Sequence, residues 1–212
     1  VSPYVTWGPV TESMFFGREP ETEAILNTIR EHSQILVGAR KMGKTSLLTE
    51  LQRRMAQADG LAPIYLDCQH VTTHEEFFGA LEAAAQVELS TRDLEGLHQA
   101  VRHWQHQQPT VRAVLLLDEV DQLVQQDRRA EMSLCQVFRA LDREQAWRLV
   151  LCGERGLYRE TLDPASPLAG LGQLVRLGPL QPTAVQRMVE VPMATMGMAL
   201  VDAPRLVHEV AA

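Results

Sequence analysis

The sequence has little cysteine and no long apolar run. Cys68, Cys135 and Cys152 are the only cysteines in 212 residues, too few and too scattered for a disulfide framework or a zinc site. We interpret them as small apolar side chains in a reducing compartment, which favours the cytoplasm. No stretch approaches the ~18 apolar residues that a membrane span needs, and the start of the chain lacks a signal pattern. These absences argue against a disulfide scaffold and against a membrane partner.

Basic residues are fewer than acidic ones. The chain has 27 acidic and 20 basic residues, for a formal net charge of -7. A surface built mainly to hold nucleic acid is basic, so this balance argues against nucleic acid as a partner, although a local basic patch stays open. The hydrophobic content of 45% and charged content of 22% are ordinary for a globular domain.

Lysine is almost absent, and the two lysines lie three residues apart. Lys41 and Lys44 belong to the segment 38–45, which reads Gly-Ala-Arg-Lys-Met-Gly-Lys-Thr. This segment matches Gly-x4-Gly-Lys-Ser/Thr and lies between an apolar run and a helical pattern, as a phosphate-binding loop (P-loop) requires. It is the strongest signal in the sequence.

Each residue type in this loop has a chemical reason. Gly38 and Gly43 let the backbone curl so that successive N–H groups face one phosphate, at the positive end of the following helix. Lys44 should neutralise the β- and γ-phosphates, and the Thr45 hydroxyl should ligate Mg²⁺. The predicted phosphate-contacting residues are Gly38, Ala39, Arg40, Lys41, Met42, Gly43, Lys44, Thr45 and Ser46.

An acidic pair ends the most apolar run of the chain. Residues 113–118 read Ala-Val-Leu-Leu-Leu-Asp, and Glu119 follows. We expect Asp118 to hold the water shell of Mg²⁺ and Glu119 to polarise the attacking water as general base. Asp121 either extends this site or caps a helix.

The base of the nucleotide is predicted by elimination. Ras-type GTPases read guanine with an Asn-Lys-x-Asp segment, but the only asparagine here is Asn27 and both lysines lie in the loop. No acceptor site of a kinase is visible either. ATP or ADP with Mg²⁺ are therefore the predicted ligands.

A γ-phosphate sensor is less well defined by the sequence. The strand predicted at 148–152 should deliver Arg155 to the nucleotide, where it could report loss of the γ-phosphate. The alternative is a surface arginine or an ion pair with Glu154 or Asp163. Four other arginines could act as a finger toward a neighbouring subunit or be solvated helix charges: Arg128, Arg129, Arg139 and Arg143.

Apolar runs alternate with helical patterns, which is typical of βα units around a parallel sheet. Strands are predicted at 34–37, 63–67, 113–118, 148–152 and 174–177. Helices are predicted at 20–30, 44–58, 74–88, 94–107, 129–144 and 183–194, with a Pro- and Gly-rich loop before the fifth strand. The predicted fold class is α/β, a three-layer αβα P-loop core with a five-stranded, mainly parallel sheet and the start of a small helical lid.

Three parts are expected along the chain. They are an amino-terminal segment (1–17), the P-loop core (18–178) and the start of a lid (179–212), with the boundary near Gly178-Pro179. The chain begins with Val and ends at Ala212 within a helical pattern, so we expect a domain from a longer protein. The alternative is a short protein with a trimmed start.

With these residues assembled, the chain resembles the signal-transduction ATPases with numerous domains (STAND), within the AAA-related P-loop ATPases. Residues 15–19, Phe-Phe-Gly-Arg-Glu, are similar to the hydrophobic-hydrophobic-Gly-Arg-Glu motif of that family. The loop is similar to its Gly-x-Arg-Arg-x-Gly-Lys-Thr-Ser form. Segments 166–168, 177–180 and 191–192 are similar to its fifth strand and first lid helix.

The resemblance implies several contacts to the nucleotide. Phe15 and Phe16 would pack near the adenine. Arg18, or the neighbouring backbone at Gly17, would contact the base or ribose, and Pro192 would belong to the lid side of the site. Packing of the two phenylalanines in the core is the alternative. The family often ends its fourth strand with Thr-Thr-Arg, but residues 152–155 read Cys-Gly-Glu-Arg. The winged-helix part with its phosphate-contacting histidine is absent, and His208 is too near the end for that role.

Three functions follow as hypotheses. The first is a slowly hydrolysing ATP switch that controls self-association and an effector elsewhere in a larger signalling or defence protein. The second is an AAA-type motor or loader on nucleic acid that resembles origin-recognition ATPases. The third is a scaffold that holds nucleotide without hydrolysis, and Glu119 argues against it. The switch has other domains of the same chain and, conditionally, further copies as partners.

Overall fold

A computed structural model of the chain describes residues 12–143, 145 and 147–197. The predictions for residues 1–11, for the last part of the lid and for His208 lie outside these residues. Within the described residues, no helix is both long and apolar enough to cross a membrane.

Five parallel strands form one sheet in the order β2-β3-β4-β1-β5. The strands are β1 (Gln34–Gly38), β2 (Leu61–Asp67), β3 (Arg112–Asp118), β4 (Arg148–Gly153) and β5 (Gln173–Leu177). Eight α-helices are described: α1 (Glu19–Thr28), α2 (Lys44–Gln57), α3 (His74–Ala85), α4 (Leu94–Gln107), α5 (Asp121–Arg129), α6 (Ser133–Arg143), α7 (Arg155–Leu162) and α8 (Pro182–Thr195). The predicted α/β class with a five-stranded parallel sheet is confirmed.

Two apolar layers cover the two faces of the sheet. Alternate residues of a strand point to opposite faces, so Leu115 packs with the larger cluster and Leu116 with the smaller one. Apolar residues of α1 and α2 belong to the smaller cluster, whereas α3, α4, α5, α6 and α7 contribute to the larger one. The continuous apolar run of β3 fits its place between β2 and β4, where both faces are buried.

The register brings the carboxyl ends of all five strands to one edge. Asp67 of β2 is paired with Asp118 of β3, Leu36 of β1 with Cys152 of β4, and Gly38 with Leu177 of β5. In parallel α/β sheets, ligands bind at this edge.

The helix predicted at 129–144 is wrong in its first part. The structure has two helices there, α5 and α6, separated by Glu131 and Met132, which both have a φ of 58°. Two consecutive left-handed residues end a helix. The buried carboxylate of Asp127 then accepts hydrogen bonds from the N–H groups of Leu134 (2.9 Å) and Cys135 (2.8 Å), so a new helix starts.

The loop predicted after β4 is also wrong in part, because residues 155–162 form α7. This helix packs against α5 and against β1 and β4. It lies directly beside the edge where the strands end.

Gly17 determines how closely α8 approaches the core. Gly17 has a φ of 76°, and a Cβ placed on it would lie 2.3 Å from the Cβ of Ala184 in α8. Both the backbone conformation and the contact therefore require glycine.

We expect Gly17→Ala to lower the free energy of unfolding by about 1–3 kcal/mol, because α8 must shift and the residue is strained. Thermal denaturation monitored by circular dichroism measures the effect. Gly178→Ala is the matched control, since nothing lies within 4 Å of a Cβ there. Equal stability of the two variants would contradict the role given to Gly17.

Candidate functional site

The predicted phosphate loop connects β1 to α2 and turns sharply. Lys41 and Gly43 adopt left-handed backbone conformations, with φ values of 62° and 79°. Among the described residues, the backbone N–H groups of Gly43, Lys44 and Thr45 have no hydrogen-bond acceptor. Unpaired donors at the start of a helix form a site for an anion.

The ammonium group of Lys44 is buried inside this turn. Its side chain is 3% exposed, and its Nζ lies 3.2 Å from the carbonyl oxygen of Ala39. Two carboxylates supply countercharge: Glu154 Oε1 at 3.3 Å and Glu119 Oε1 at 3.8 Å. Lys44 therefore joins the loop to the ends of β3 and β4.

Asp118 is buried at the end of β3, beside the loop. One carboxylate oxygen accepts a hydrogen bond from the hydroxyl of Tyr65 on β2 at 3.2 Å, and the other accepts from the N–H of Glu119 at 3.0 Å. Burial, and then the Asp118 charge, raise the pKa of the Tyr65 phenol, so Tyr65 stays a proton donor. Burial and the same charge raise the pKa of the Cys152 thiol well above its ordinary value.

Glu119, the residue after Asp118, adopts a left-handed backbone conformation with a φ of 51°. Burial raises the pKa of its carboxyl group, Lys44 opposes that shift, and the charges of Asp118, Glu154 and Asp121 add to it. A carboxylate with a raised pKa is a stronger base.

A cleft of about 680 Å³ opens along this edge of the sheet. It is lined by Arg40, Thr45, Thr49, Tyr65, Asp67, Gln69, Asp118, Glu119, Asp121, Glu154, Arg155 and Gly156. The structure thus brings together six residues singled out in the sequence: Arg40, Thr45, Asp118, Glu119, Asp121 and Arg155. Sequence reasoning missed Tyr65 and the site role of Glu154. An acid directly after the fourth strand was the available signal for Glu154.

Arg155 is the first residue of α7 and lines the cleft. Within the described part of the chain it forms no ion pair with either Glu154 or Asp163. Its role as sensor stays a prediction. Three of the other candidate arginines are engaged within the chain: Arg128 pairs with Glu160, Arg129 donates to the side-chain oxygen of Gln126, and Arg139 donates to the carbonyl of Ala169.

Asp121 caps α7 from a distance. Its Oδ2 accepts a hydrogen bond from the N–H of Glu154, and its Oδ1 accepts one from the N–H of Leu157 at 3.0 Å. A Cβ on Gly153 or Gly156 would lie 2.4 or 2.6 Å from these oxygens. The two glycines around Glu154 therefore make room for the carboxylate that fixes its backbone.

We expect Asp121→Asn to lower the free energy of unfolding by about 1–3 kcal/mol, because an amide accepts one of these bonds and opposes the other N–H with its own donor. Urea denaturation measures the change. The exposed neighbour Gln122 offers a control, since Gln122→Ala should stay within about 0.5 kcal/mol of the wild type. A matching loss in both variants would show that α7 does not depend on Asp121.

The residues proposed to hold the base line neither the cleft of about 680 Å³ nor the one between the loop, α7 and β5. Arg18 is buried, and its guanidinium donates to the carbonyl oxygens of Met42 (3.1 Å) and Gly178. Phe16 lies under the guanidinium of Arg187 at 5.4 Å, and Pro192 is buried inside α8. Contact of these residues with a nucleotide stays a prediction.

The chemistry of the site fits a magnesium nucleotide. Unpaired N–H groups and a buried ammonium suit phosphate oxygens. The Thr45 hydroxyl and the Asp118 carboxylate line one cleft and are hard oxygen ligands, which Mg²⁺ prefers while it keeps several waters.

The chain belongs to the AAA domain family, whose model matches residues 29–160. No curated protein matches the sequence.

Solved structures share the fold at low sequence identity. The Walker-type ATPase PABY2304 of Pyrococcus abyssi has a TM-score of 0.76 and 16% identity, over 97% of this chain and 65% of that one. The ORC1 protein of Aeropyrum pernix, solved in complex with DNA, has a TM-score of 0.64 and 19% identity, over 85% and 50%. AMPPCP-bound DnaA of Aquifex aeolicus has a TM-score of 0.56 and 16% identity, over 96% and 57%. The chain spans about half to two thirds of the length of these proteins.

Proposed function

We propose that this domain binds ATP with Mg²⁺ and hydrolyses it to ADP and phosphate. One observation carries the proposal. The buried Lys44 ammonium lies between a loop with unpaired N–H groups and the carboxylates of Glu119 and Glu154, which directly follow β3 and β4. Membership of the AAA domain family supports it.

In this proposal each residue has one task. The loop N–H groups and Lys44 hold the phosphates, and Glu119 takes the proton of the attacking water. Thr45 and Asp118 would hold Mg²⁺, which neutralises phosphate charge when bound. Tyr65 keeps the Asp118 carboxylate in place through its hydroxyl. Arg155 lines the same cleft and is the proposed γ-phosphate sensor. Phe16, Gly17, Arg18 and Pro192 remain the proposed base-side residues.

Two processes are candidates for what ATP hydrolysis drives. We favour nucleic-acid loading or remodelling, because the fold is shared with ORC1 and DnaA. The net charge of -7 argues the other way, but it describes this chain, which corresponds to about half of ORC1. The prediction that nucleic acid is not a partner therefore has no support from the comparisons. The STAND-type signalling switch with slow turnover is the second candidate, and residues 15–19 favour it.

One experiment tests the activity and separates the outputs. Phosphate release from ATP is measured with Mg²⁺, with EDTA, and with Mg²⁺ plus duplex or single-stranded DNA. The proposal expects release that needs Mg²⁺, and DNA stimulation would support the loader. ATP-dependent self-association by light scattering without a DNA effect would support the switch. No Mg²⁺-dependent release in any condition would refute ATP hydrolysis by this chain.

A further inference from the structure

Glu154 has no task in the proposed hydrolysis, yet it is the carboxylate nearest to Lys44. Its Oε1 lies 3.3 Å from Nζ, closer than the 3.8 Å of Glu119. Because the Lys44 side chain is 3% exposed, its ammonium has little room for another anion. A phosphate that reaches Lys44 must therefore meet Glu154 first.

The backbone of Glu154 is held in place, so only its side chain is free to leave. Asp121 binds the Glu154 N–H, and Gly153 and Gly156 are packed against the same carboxylate. The side chain itself is 32% exposed, which leaves space for another rotamer.

A second cleft of about 550 Å³ lies beside Glu154, between the loop, α7 and the end of β5. It is lined by Val37, Gly38, Ala39, Arg40, Glu154, Arg155, Tyr158, Arg176 and Leu177. Among the described residues, Arg40 and Arg155 have no ion-pair partner, and Arg176 lies over the Tyr158 ring at 4.7 Å. Glu154 is the only acid in this lining, so the second cleft offers its carboxylate cationic partners.

We propose that Glu154 is a two-position carboxylate, which occupies Lys44 without nucleotide and moves to the arginine-lined cleft when β- and γ-phosphates bind. This inference rests on the proposed nucleotide site. Glu154 would then weaken nucleotide binding, and it would change position with ADP or ATP but not with AMP.

The displacement has a second effect. When Glu154 lies on Lys44, the second cleft keeps the uncompensated charge of Arg40, Arg155 and Arg176. When the phosphates displace Glu154, that charge is partly neutralised. The arginine-lined cleft is therefore more attractive to an anionic group when no nucleotide is bound than when nucleotide is bound.

The test compares the affinities of AMP, ADP and ATP for the full chain by isothermal titration calorimetry with Mg²⁺. Glu154→Gln should bind ADP and ATP about fivefold more tightly or better, the size expected for one partly exposed charge pair. AMP lacks the β- and γ-phosphates that Lys44 is proposed to hold, so its affinity should change less than about twofold. Glu154→Ala is a second variant, because Asp121 holds the start of α7 through the backbone and not through this side chain.

The control is Asp67→Asn, which removes a negative charge from the 680 Å³ cleft that Glu154 also lines, at a residue without contact to Lys44. It should change all three affinities by one small factor. Either of two results overturns this inference and leaves the proposed nucleotide site intact. One is ATP binding that is unchanged or weaker in both Glu154 variants, and the other is a change in AMP affinity as large as the change in ATP affinity. If the wild type binds no ATP, the proposed nucleotide site fails and the inference falls with it.

Discussion

Lys44→Ala is expected to abolish the stabilisation of the protein by ATP. A ligand at 100 times its Kd stabilises the native state by about 2.7 kcal/mol, which corresponds to a rise in Tm of roughly 5–10 °C for a chain of this size. The buried ammonium of Lys44 is the only cation within ion-pair distance of Glu119 and Glu154 among the described residues. Without it, the phosphates lose their buried cation and Glu119 stays beside them with no countercharge, so binding should fall at least 100-fold.

The measurement is a thermal melt with and without Mg²⁺ and ATP. Arg54→Gln is the matched control, because it removes one positive charge from the same helix, ten residues further along, where Arg54 pairs with Glu23. This variant should keep the full shift. An ATP-dependent shift that survives in Lys44→Ala would refute the proposed phosphate site.

Glu119→Gln is expected to stop hydrolysis while ATP still binds. An amide of the same shape cannot take a proton from water, and removal of a general base costs about 10²–10⁴-fold in rate. Binding should be unchanged or tighter, because one negative charge leaves the cleft. Single-turnover hydrolysis and calorimetric titration with ATP measure the two effects separately.

The pH profile of the wild type provides an independent check on this role. Because burial raises the pKa of Glu119 above its ordinary value, the base becomes protonated, and turnover falls, at a higher pH than for an ordinary glutamate. Asp67→Asn, on the same cleft wall, should keep both the rate and this acid limb. Wild-type turnover in Glu119→Gln would assign the base to another group.

Much of the fold follows from local pattern. The helix predicted at 94–107 has the same bounds as α4, and each of the five predicted strands lies within one or two residues of the observed one. These elements carry their own signal, because their apolar residues recur at the period of the structure that they form.

The start of α6 was misplaced and α7 was missed, and both helices begin at caps that lie elsewhere in the sequence. The carboxylate of Asp121 holds the start of α7 across about thirty residues, and that of Asp127 holds the start of α6. Both aspartates belong to α5, which was not predicted either. Sequence signals of helix starts are local, so caps donated by another helix leave no pattern near the helix that they begin.

The site residues likewise include some that local sequence predicts and some that it does not. The loop and the pair at 118–119 could be predicted because each is a contiguous motif whose residues have a fixed chemical use. The ion pair between Lys44 and Glu154 joins residues 110 positions apart and depends on the register of β1 and β4.

The guanidinium of Arg18 binds two carbonyl oxygens that belong to different parts of the chain. Met42 lies in the phosphate loop, and Gly178 lies between β5 and α8. A loop that changes shape around phosphate must therefore either carry the segment leading into α8 with it or break a partly buried hydrogen bond. This one side chain connects the loop to the segment that precedes α8, so a change in the loop has a route to α8 that does not pass through the sheet.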